Sequence, residues 1–322
     1  METTRDKTVL AVGRVYADVV FTGLGTMPEL GREIYADEVT VSPGGGAFIT
    51  ASVLASLGRH ACLSTRLPGH PLNLGLVSNL LESGIDISGV ERGEPDQPQM
   101  TVAIVHDGDR AFLTRRVGPS VPTSFDALMR RPDIAHVHIA ELATLADAPG
   151  IVAAAKGVGR TVSLDCAWDE GLFARGDLLD LLEGIDLFMP NTAEAEALVG
   201  AAELTPENLR PIRQRVGLLA VKRGALGGWA FRGEDAVSVA AACTDVVDTT
   251  GAGDSFNAGF IDAWLKGKPP PVCLALGVAA GTTAVTVAGG GAIRPDPARV
   301  GEDAARLKVT APGQLSVFSP RP

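Results

Sequence analysis

Cysteine is scarce in this sequence. Four cysteines occur in 322 residues, at positions 62, 166, 243 and 273, and no two of them form a Cys-x-x-Cys pair. The spacing therefore predicts neither a disulfide framework nor a zinc knuckle, and buried free thiols in a reducing compartment are expected instead. The first ten residues, METTRDKTVL, lack the apolar core of a signal peptide. We therefore expect a cytoplasmic protein.

A basic excess is also missing. Lys and Arg number 28 against 38 Asp and Glu, so the formal net charge is -10, which argues against nucleic acid or an anionic membrane as a partner. The segment 269–293 has no charged residue and is long enough to span a bilayer. Because Ala, Gly and Thr rather than Leu, Ile and Phe make up its middle, we expect a buried helix followed by a glycine-rich loop.

What is present is the composition of a globular protein, with 46% hydrophobic and 20% charged residues. Short apolar runs alternate with amphipathic stretches, which predicts an α/β fold of three layers, α/β/α, around a mainly parallel central sheet. No linker divides the chain, so we expect a single domain over residues 1–322. The predicted strands are TVLAVG, ACLST, IAHVHIA, TVSLD, DLFMP and GLLAVK, and the predicted helices cover 47–58, 72–83, 147–157, 192–199 and 206–215.

Two regions interrupt this alternation, near residues 15–42 and 95–118. They contain the strand-like pieces EIYADEVTVS, QMTVAIVHDG and RAFLTRRVG with no helix between them, and HDGD is a good hairpin signal. We expect a small accessory β-sheet that acts as a lid and excludes water from a reaction. Arg115 and Arg116 follow this hairpin, where a contact with phosphate and a solvated position are equally compatible with the sequence. The tail 311–322 is expected to be loosely held.

The stretch DTTGAGDSFNAGF, residues 248–260, carries the strongest chemical signal. Apolar residues at helical spacing predict a helix from Ser255 to Lys266, so the small residues Gly251 to Gly253 precede a helix start. Unpaired N–H groups and the absence of a Cβ suit a phosphate there. Asp254 follows directly and could accept a proton from an attacking hydroxyl group. An ordinary helix cap, with Asp254 as a partner of the helix dipole, explains the bare motif equally well.

Two further stretches are compatible with ligand binding. PGGGAFITASVLASLG, residues 43–58, lets a ligand approach the backbone, although a tight turn between a strand and a helix also explains its glycines. In PNTAEAEALVG, residues 190–200, Asn191 and Glu194 can face one site at a helix start, where a carboxylate suits Mg²⁺. An ordinary capping box explains this pair better when it is taken alone.

Together these motifs resemble the ribokinase-like, or PfkB, family of carbohydrate kinases. The resemblance covers nearly the whole chain, through GRVYADVVF, PGGGAFITA, PNTAEAE, VKRGALGG and DTTGAGDSFNAGF in that order. It implies an ATP-dependent enzyme that phosphorylates a hydroxyl group of a small sugar, with Mg²⁺ required and K⁺ stimulatory. We also expect a homodimer formed through the lid.

The resemblance implies roles for individual residues. Asp254 matches the catalytic base of the family, and Gly251, Ala252 and Gly253 match its anion hole. A carboxylate at a helix N-terminus should be a weak base, so orientation of the acceptor and late proton capture are its expected roles. The other matches are Asp18, Gly44, Gly45, Ile49 and Glu141 on the sugar side, Asn191 and Glu194 near phosphate and Mg²⁺, Lys222 and Gly224 in the nucleotide loop, and Asp248 with the Thr250 carbonyl at a monovalent-cation site.

One position departs from the family pattern in a way that bears on the substrate. Ile49 stands where the family usually has an Asn that hydrogen-bonds the sugar, which predicts a less polar pocket. Phe48 beside it is compatible with a planar substrate part such as a nucleobase, so a nucleoside kinase is the alternative; both residues could also face the core. A sensor without catalysis on the same fold is a third hypothesis, against which the retained Asp254 counts.

Overall fold

We describe the protein from a computed structural model, for residues 7–69, 72–93, 99–106, 109–287 and 289–310. The predicted tail 311–322 and the centre of the predicted HDGD turn lie outside these residues. The strands are β1 (Thr8–Val12), β2 (Tyr16–Thr22), β3 (Glu38–Gly44), β4 (Ala61–Arg66), β5 (Asp86–Glu91), β6 (Met100–His106), β7 (Asp109–Arg115), β8 (Ile134–Ile139), β9 (Thr161–Leu164), β10 (Leu187–Phe188), β11 (Leu218–Lys222), β12 (Gly228–Arg232), β13 (Asp235–Val239) and β14 (Val309–Thr310).

Helices follow most of the strands. They are α1 (Gly46–Ser56), α2 (Asn73–Glu82), α3 (Phe125–Met129), α4 (Leu142–Asp147), α5 (Ile151–Gly157), α6 (Glu170–Phe173), α7 (Thr192–Val199), α8 (Arg210–Arg213), α9 (Ala252–Leu265), α10 (Pro270–Ala284) and α11 (Pro297–Arg306). Helix α8 is shorter than the predicted helix 206–215. Thr205 and Asn208 explain this, because each side chain accepts a hydrogen bond from the backbone of the other and closes a separate turn.

The central sheet has ten strands in the order β14-β13-β12-β11-β10-β9-β8-β1-β4-β5. The strands from β11 to β5 in this order run parallel, and β12, β13 and β14 extend the sheet in antiparallel fashion. Residues of β1 alternate between two cores, since Val9 and Ala11 join one and Leu10 and Val12 join the other. Both faces of the sheet are thus covered, and the predicted three-layer α/β/α architecture is confirmed.

A second sheet of four strands, in the order β3-β2-β6-β7, is the predicted accessory sheet, which we call the lid. Strands β6 and β7 pair in antiparallel fashion from Met100 opposite Arg115 to His106 opposite Asp109, as the hairpin signal predicts. Strand β3 begins only at Glu38, so residues 33–37 of the predicted strand EIYADEVTVS lie outside it. Along these strands alternate side chains face opposite sides of the sheet.

The uncharged segment 269–293 contains α10, which packs on α9. A Cβ at Gly259 would lie 2.7 Å from the Leu276 carbonyl oxygen, and one at Gly277 would lie 3.1 Å from the Phe256 carbonyl oxygen. Small residues therefore let the two helix backbones approach closely, which explains why this segment is poor in large apolar side chains. In the part of the chain that the structure describes, we find no helix with the length and apolar character needed to cross a membrane.

Candidate active site

A cleft of about 600 Å³ lies between the lid and the carboxyl ends of the parallel strands. Most residues that the sequence assigns to a site line it together: Asp18, Gly45, Ile49, Glu141, Asn191, Glu194, Lys222, Gly224, Thr250, Gly251, Gly253 and Asp254. Three others lie next to the cleft without lining it: Gly44, Asp248 and Ala252. Such convergence of polar groups at strand ends is typical of ligand sites in α/β sheets.

The N-terminus of α9 forms one wall of the cleft. Gly251 is its N-cap residue and has φ of 76°, a conformation that favours glycine. A Cβ there would also lie 2.9 Å from the Ile293 side chain. The first N–H groups of a helix have no acceptor within the helix. Gly251 and Gly253 line the cleft, so this helix start is suited to bind an anion.

Asp254 is the third residue of α9, and its carboxylate lies against Gly46 at the start of α1. The pKa of Asp254 is raised to about 7, mainly by burial and also by the Asp165 carboxylate, while the Lys222 ammonium lowers it. The direction of this shift is opposite to the one expected from the helix dipole, because burial disfavours the charged carboxylate. At neutral pH the group can accept a proton and release it again.

Asp18 is the third residue of the lid strand β2, and it lines the same cleft. Burial raises its pKa to about 7, and the nearby Asp254 carboxylate contributes to the rise. A Cβ at Gly44 would overlap the Asp18 carboxylate, so this glycine makes room for Asp18 from behind. Gly45 has φ of 95°, and a Cβ there would collide with the backbone carbonyl of Arg14. Gly44 thus lets strand β3 pack against Asp18, and Gly45 lets the start of α1 pack against the backbone at Arg14.

Glu141 follows β8 and is the N-cap residue of α4. Its Oε1 atom accepts a hydrogen bond of 2.9 Å from the Thr144 hydroxyl, and the Arg14 guanidinium lies 3.9 Å away. Burial raises the pKa of Glu141, whereas Thr144, Arg116 and Arg14 lower it. The residue therefore has structural partners and also presents a surface to the cleft.

Phe48 and Ile49 differ in their positions. Phe48 is fully buried in the core and does not line the cleft, so the interpretation of Phe48 as a wall for a planar substrate is wrong. Ile49 lines the cleft but is only 3% exposed. It packs against the turns at Gly251 and Gly290. Both side chains lie in α1, where apolar residues pack on the sheet.

A second cavity of about 520 Å³ adjoins the cleft. Lys222, Gly224 and Gly253 line both spaces and so mark their junction. Gly227, at the far side of the loop, has φ of 86°, and a Cβ there would collide with the Val239 carbonyl. Ala252 lines only the second cavity. Its lining of small and apolar residues, close to a helix start, fits a nucleotide whose phosphates reach the junction.

Asn191 and Glu194 form a capping box at the start of α7. The Asn191 side chain accepts from the Glu194 backbone at 2.9 Å, and the Glu194 side chain accepts from the Asn191 backbone at 2.7 Å. Glu194 is 4% exposed, and burial raises its pKa to about 7 against the effect of Lys222. Both residues nevertheless line the cleft. Among the residues the structure describes, no group of three His, Cys, Asp or Glu is arranged to hold a metal.

Asp248 precedes the glycine turn and organises it. Its Oδ1 atom accepts from the Thr250 backbone at 2.8 Å and from the Thr250 hydroxyl at 2.7 Å, and its Oδ2 atom accepts from the Gly289 backbone at 2.8 Å. These bonds hold the turn from Asp248 to Gly251 in place within the protein itself.

Sequence reasoning missed several residues of the cleft. Asp165 follows β9 and accepts a hydrogen bond of 2.7 Å from the Lys222 ammonium and one of 2.6 Å from the Asn257 amide. Asn257 lies three residues after Asp254 on the same face of α9, which is a signal the sequence contains. Of the two arginines left open above, Arg116 lines the cleft and pairs with Asp169. The other missed residues are Tyr16, Gly46, Thr101, Phe112, Thr114, Ala140, Ala167 and Trp168.

Comparison with known families and proteins agrees with this geometry. Residues 6–297 match the model of the pfkB family carbohydrate kinases. The chain is 31% identical over 270 residues to an ATP-dependent ribose-1-phosphate kinase of Halopiger xanaduensis, with 80% of this chain and 84% of that protein covered. It is 25% identical over 283 residues to a nucleoside kinase of Methanocaldococcus jannaschii, with 87% and 91% covered.

Shorter and structural matches extend the comparison. A stretch of 102 residues is 42% identical to an uncharacterized sugar kinase of Archaeoglobus fulgidus, and it spans 32% of this chain and 40% of that relative. The fold is similar to that of Arabidopsis thaliana ribokinase complexed with ribose and ATP, with a TM-score of 0.77 and 25% identity. That match covers 92% of this chain and 98% of the other.

Proposed function

The chain belongs to the pfkB family of carbohydrate kinases, and from this premise we propose that it transfers the γ-phosphoryl group of ATP to a hydroxyl group of a small sugar. The observation that carries this proposal is the junction of the two cavities at Gly253. A nucleotide in the second cavity has its phosphates at the start of α9, one residue from Asp254. An acceptor in the cleft reaches Asp254 from the other side.

In this reaction a bond forms between the acceptor oxygen and the γ-phosphorus while the bond to the leaving oxygen of ADP breaks. Asp254 orients the acceptor hydroxyl and takes its proton, which a carboxyl group with a pKa of about 7 can do at neutral pH. The amides at Gly251 and Gly253 stabilise the charge on the transferred group. Asp18 and Glu141 hold the sugar. Mg²⁺, bound through phosphate oxygens near Asn191 and Glu194, would offset the charge of the triphosphate.

A screen for ADP release tests the reaction. The purified protein is incubated with ATP and Mg²⁺ and with ribose, fructose, ribose 1-phosphate, a sugar acid or adenosine, and Asp254→Asn is assayed alongside. We expect at least one sugar to increase ADP release, and we expect the variant to bind ATP by calorimetry with kcat lower by a factor of about 10² to 10⁴. If no acceptor raises ADP release above that of the variant, the proposal is wrong.

A nucleoside as acceptor is the second candidate, and a specific pair of residues favours it. Phe112 on β7 and Trp168 between β9 and α6 both line the cleft, and each is 55% exposed. Exposed aromatic faces of this kind stack on nucleobases. The adenosine arm of the same screen decides between the candidates, since a nucleoside kinase should prefer adenosine to free ribose.

Three further properties complete the proposal. We propose that K⁺ at Asp248 and the Thr250 carbonyl stimulates the reaction. We propose a homodimer formed through the outer face of the lid, where Val39, Val41 and Leu113 are 55%, 57% and 75% exposed. The cytoplasm is the proposed location, because Cys62, Cys166 and Cys273 are buried free thiols.

A further inference from the structure

Lys222 occupies an unusual position between the two cavities. Of the charged residues within the described ranges, it is the one that lines both the cleft and the second cavity. Its Nζ atom would lie 3.4 Å from a Cβ placed on Gly253, so the ammonium lies beside the first turn of α9. The positive charge is therefore located where the proposed reaction moves a phosphoryl group from one cavity to the other.

Two buried side chains hold this ammonium in place. Asp165, which is 7% exposed, accepts its hydrogen bond at 2.7 Å, and the fully buried Asn257 offers its Oδ1 atom at 3.5 Å. The Asn257 amide in turn donates to the other oxygen of Asp165 at 2.6 Å. The three residues come from β11, from the loop after β9 and from α9, so they tie the sheet to the helix that begins at Gly251.

The ammonium is also kept charged. Burial disfavours the charged form, yet the Asp165 and Glu194 carboxylates raise the pKa of Lys222 above its usual value. An ammonium has three N–H donors, and Asp165 and Asn257 account for two of them. One donor is left for a ligand at the junction.

We infer that Lys222 binds the phosphoryl group in transfer, and that Asp165 and Asn257 are positioning residues that hold the Lys222 ammonium for this purpose. The inference rests on the proposed kinase function. A cation at the junction that meets the transferred group most closely during transfer stabilises the transition state more than bound ATP. Lys222 should therefore affect kcat more than the affinity for ATP.

An alternative is that the lysine only neutralises buried carboxylates. In that case its removal would destabilise the protein without a specific effect on turnover, since an uncompensated buried charge is costly. The double variant Lys222→Met/Asp165→Asn separates the two possibilities, because it removes both charges and keeps similar side-chain volumes. We expect it to fold, and we expect its kcat to be as low as that of Lys222→Met.

The experiment measures kcat with the best acceptor from the screen, and ATP affinity by calorimetry. For Lys222→Met and the double variant we expect kcat to fall by a factor of about 10² to 10³, with the Kd for ATP changed by less than about fivefold, which is about 1 kcal/mol. Lys222→Arg should restore part of kcat, because it keeps the charge. Lys156→Met, which removes a partly exposed lysine paired with Asp186 on the body of the protein, serves as the control and should leave kcat unchanged.

The Asp165→Asn variant provides a second measurement, the pH profile of kcat. This profile would not change if Asp165 had only a structural role. Asp254 is surrounded by Asp18, Asp165, Glu194 and Lys222, and the Asp165 carboxylate raises the pKa of Asp254. We expect kcat to fall and the acid limb of its pH profile to move to lower pH. If a folded double variant keeps the wild-type kcat, or if Lys222→Met changes only the Kd for ATP, the inference is overturned. A wild-type protein that phosphorylates nothing in the screen would instead overturn the proposed function.

Discussion

The carboxylate of Asp254 lies against the α-carbon of Gly46, so closely that a methyl group added there would come within 2.8 Å of its Oδ1 atom. This contact joins two segments that are far apart in the sequence, the glycine run before α1 and the start of α9. It explains why a glycine, the third of PGGG, stands at the first position of α1. The position of the proposed base depends on a residue that has no side chain.

We expect Gly46→Ala to lower kcat by a factor of about 10 to 100, because a displacement of about 1 Å at a reacting group costs this much. The Cβ would displace Asp254 while α1 still forms. The matched control is Gly301→Ala in α11, where a Cβ meets open space; it should leave kcat unchanged and raise stability by up to about 1 kcal/mol. Steady-state kinetics and thermal unfolding measure both, and an unchanged kcat in Gly46→Ala would show that the contact does not position Asp254.

The pKa of Asp254 also predicts a pH dependence of stability. The pKa of this group is about 7 in the folded protein and 3.8 for an ordinary aspartate, so between these two pH values the folded state holds a proton that the unfolded state has released. Stability therefore falls as pH rises through this window and falls no further above pH 7. Asp254→Asn lacks this loss, so its melting temperature relative to wild type should rise between pH 4 and pH 7. A difference independent of pH would contradict the shifted pKa.

Much of the fold could be predicted because its signals are local. In β1 every residue is buried and the neighbouring runs repeat this pattern, so the alternation of strand and helix identifies a parallel sheet. The start of β3 could not be predicted from the sequence, since residues 33–37 have a strand-like composition. Their pairing partner ends before them, because Thr22, the last residue of β2, pairs with Glu38.

The sequence predicts the site residues that lie within one motif. It does not predict those that the fold brings together from distant segments. Asp254 and its glycines are adjacent in sequence, whereas Asp165 and Lys222 are 57 residues apart and meet because their strands end at one edge of the sheet. The raised pKa of Asp254 could not be predicted from the helix dipole, because it depends on burial by Gly46 and other distant residues. The sequence left open whether Phe48 lines the cleft or faces the core, because it does not show which side of α1 faces the sheet.

The proposed monovalent site predicts a dependence on K⁺. Replacement of Na⁺ by K⁺ at constant ionic strength should raise kcat, because a bound cation next to the turn at Thr250 strengthens the anion site at Gly251. Asp248→Asn should abolish the difference between the two salts. This variant keeps one acceptor oxygen for the turn, and circular dichroism checks that it folds. Equal rates of the wild type in both salts would count against the site.

The lid predicts an association of two chains. Its inner face carries Asp18, Thr101 and Phe112 in the cleft, whereas Val41 and Leu113 on the outer face are more than half exposed. We expect the wild type to sediment as a dimer and the double variant Val41→Asp/Leu113→Asp to sediment as a monomer, because a charge at each position disfavours an apolar interface. Val272→Asp in α10, away from the lid, is the control. A dimer that persists in the double variant would place the interface elsewhere.

The last prediction concerns Ile49, the residue that departs from the family pattern. Its side chain is 3% exposed and packs between the turns at Gly251 and Gly290. An amide at this position would be buried without a partner, so Ile49→Asn should lower the free energy of unfolding by about 1–3 kcal/mol. The ratio of kcat/KM between a sugar and a nucleoside should stay the same.

Ile49→Val serves as the control, because it shortens the side chain without an amide and should cost about 0.5–1.5 kcal/mol. Urea unfolding and kinetics with ribose and adenosine measure both effects. A tenfold shift of the ratio toward ribose in Ile49→Asn, without such a shift in Ile49→Val, would mean that the amide reaches a sugar hydroxyl. In that case Ile49 forms an apolar wall of the substrate pocket and sets the specificity, as the sequence alone predicts.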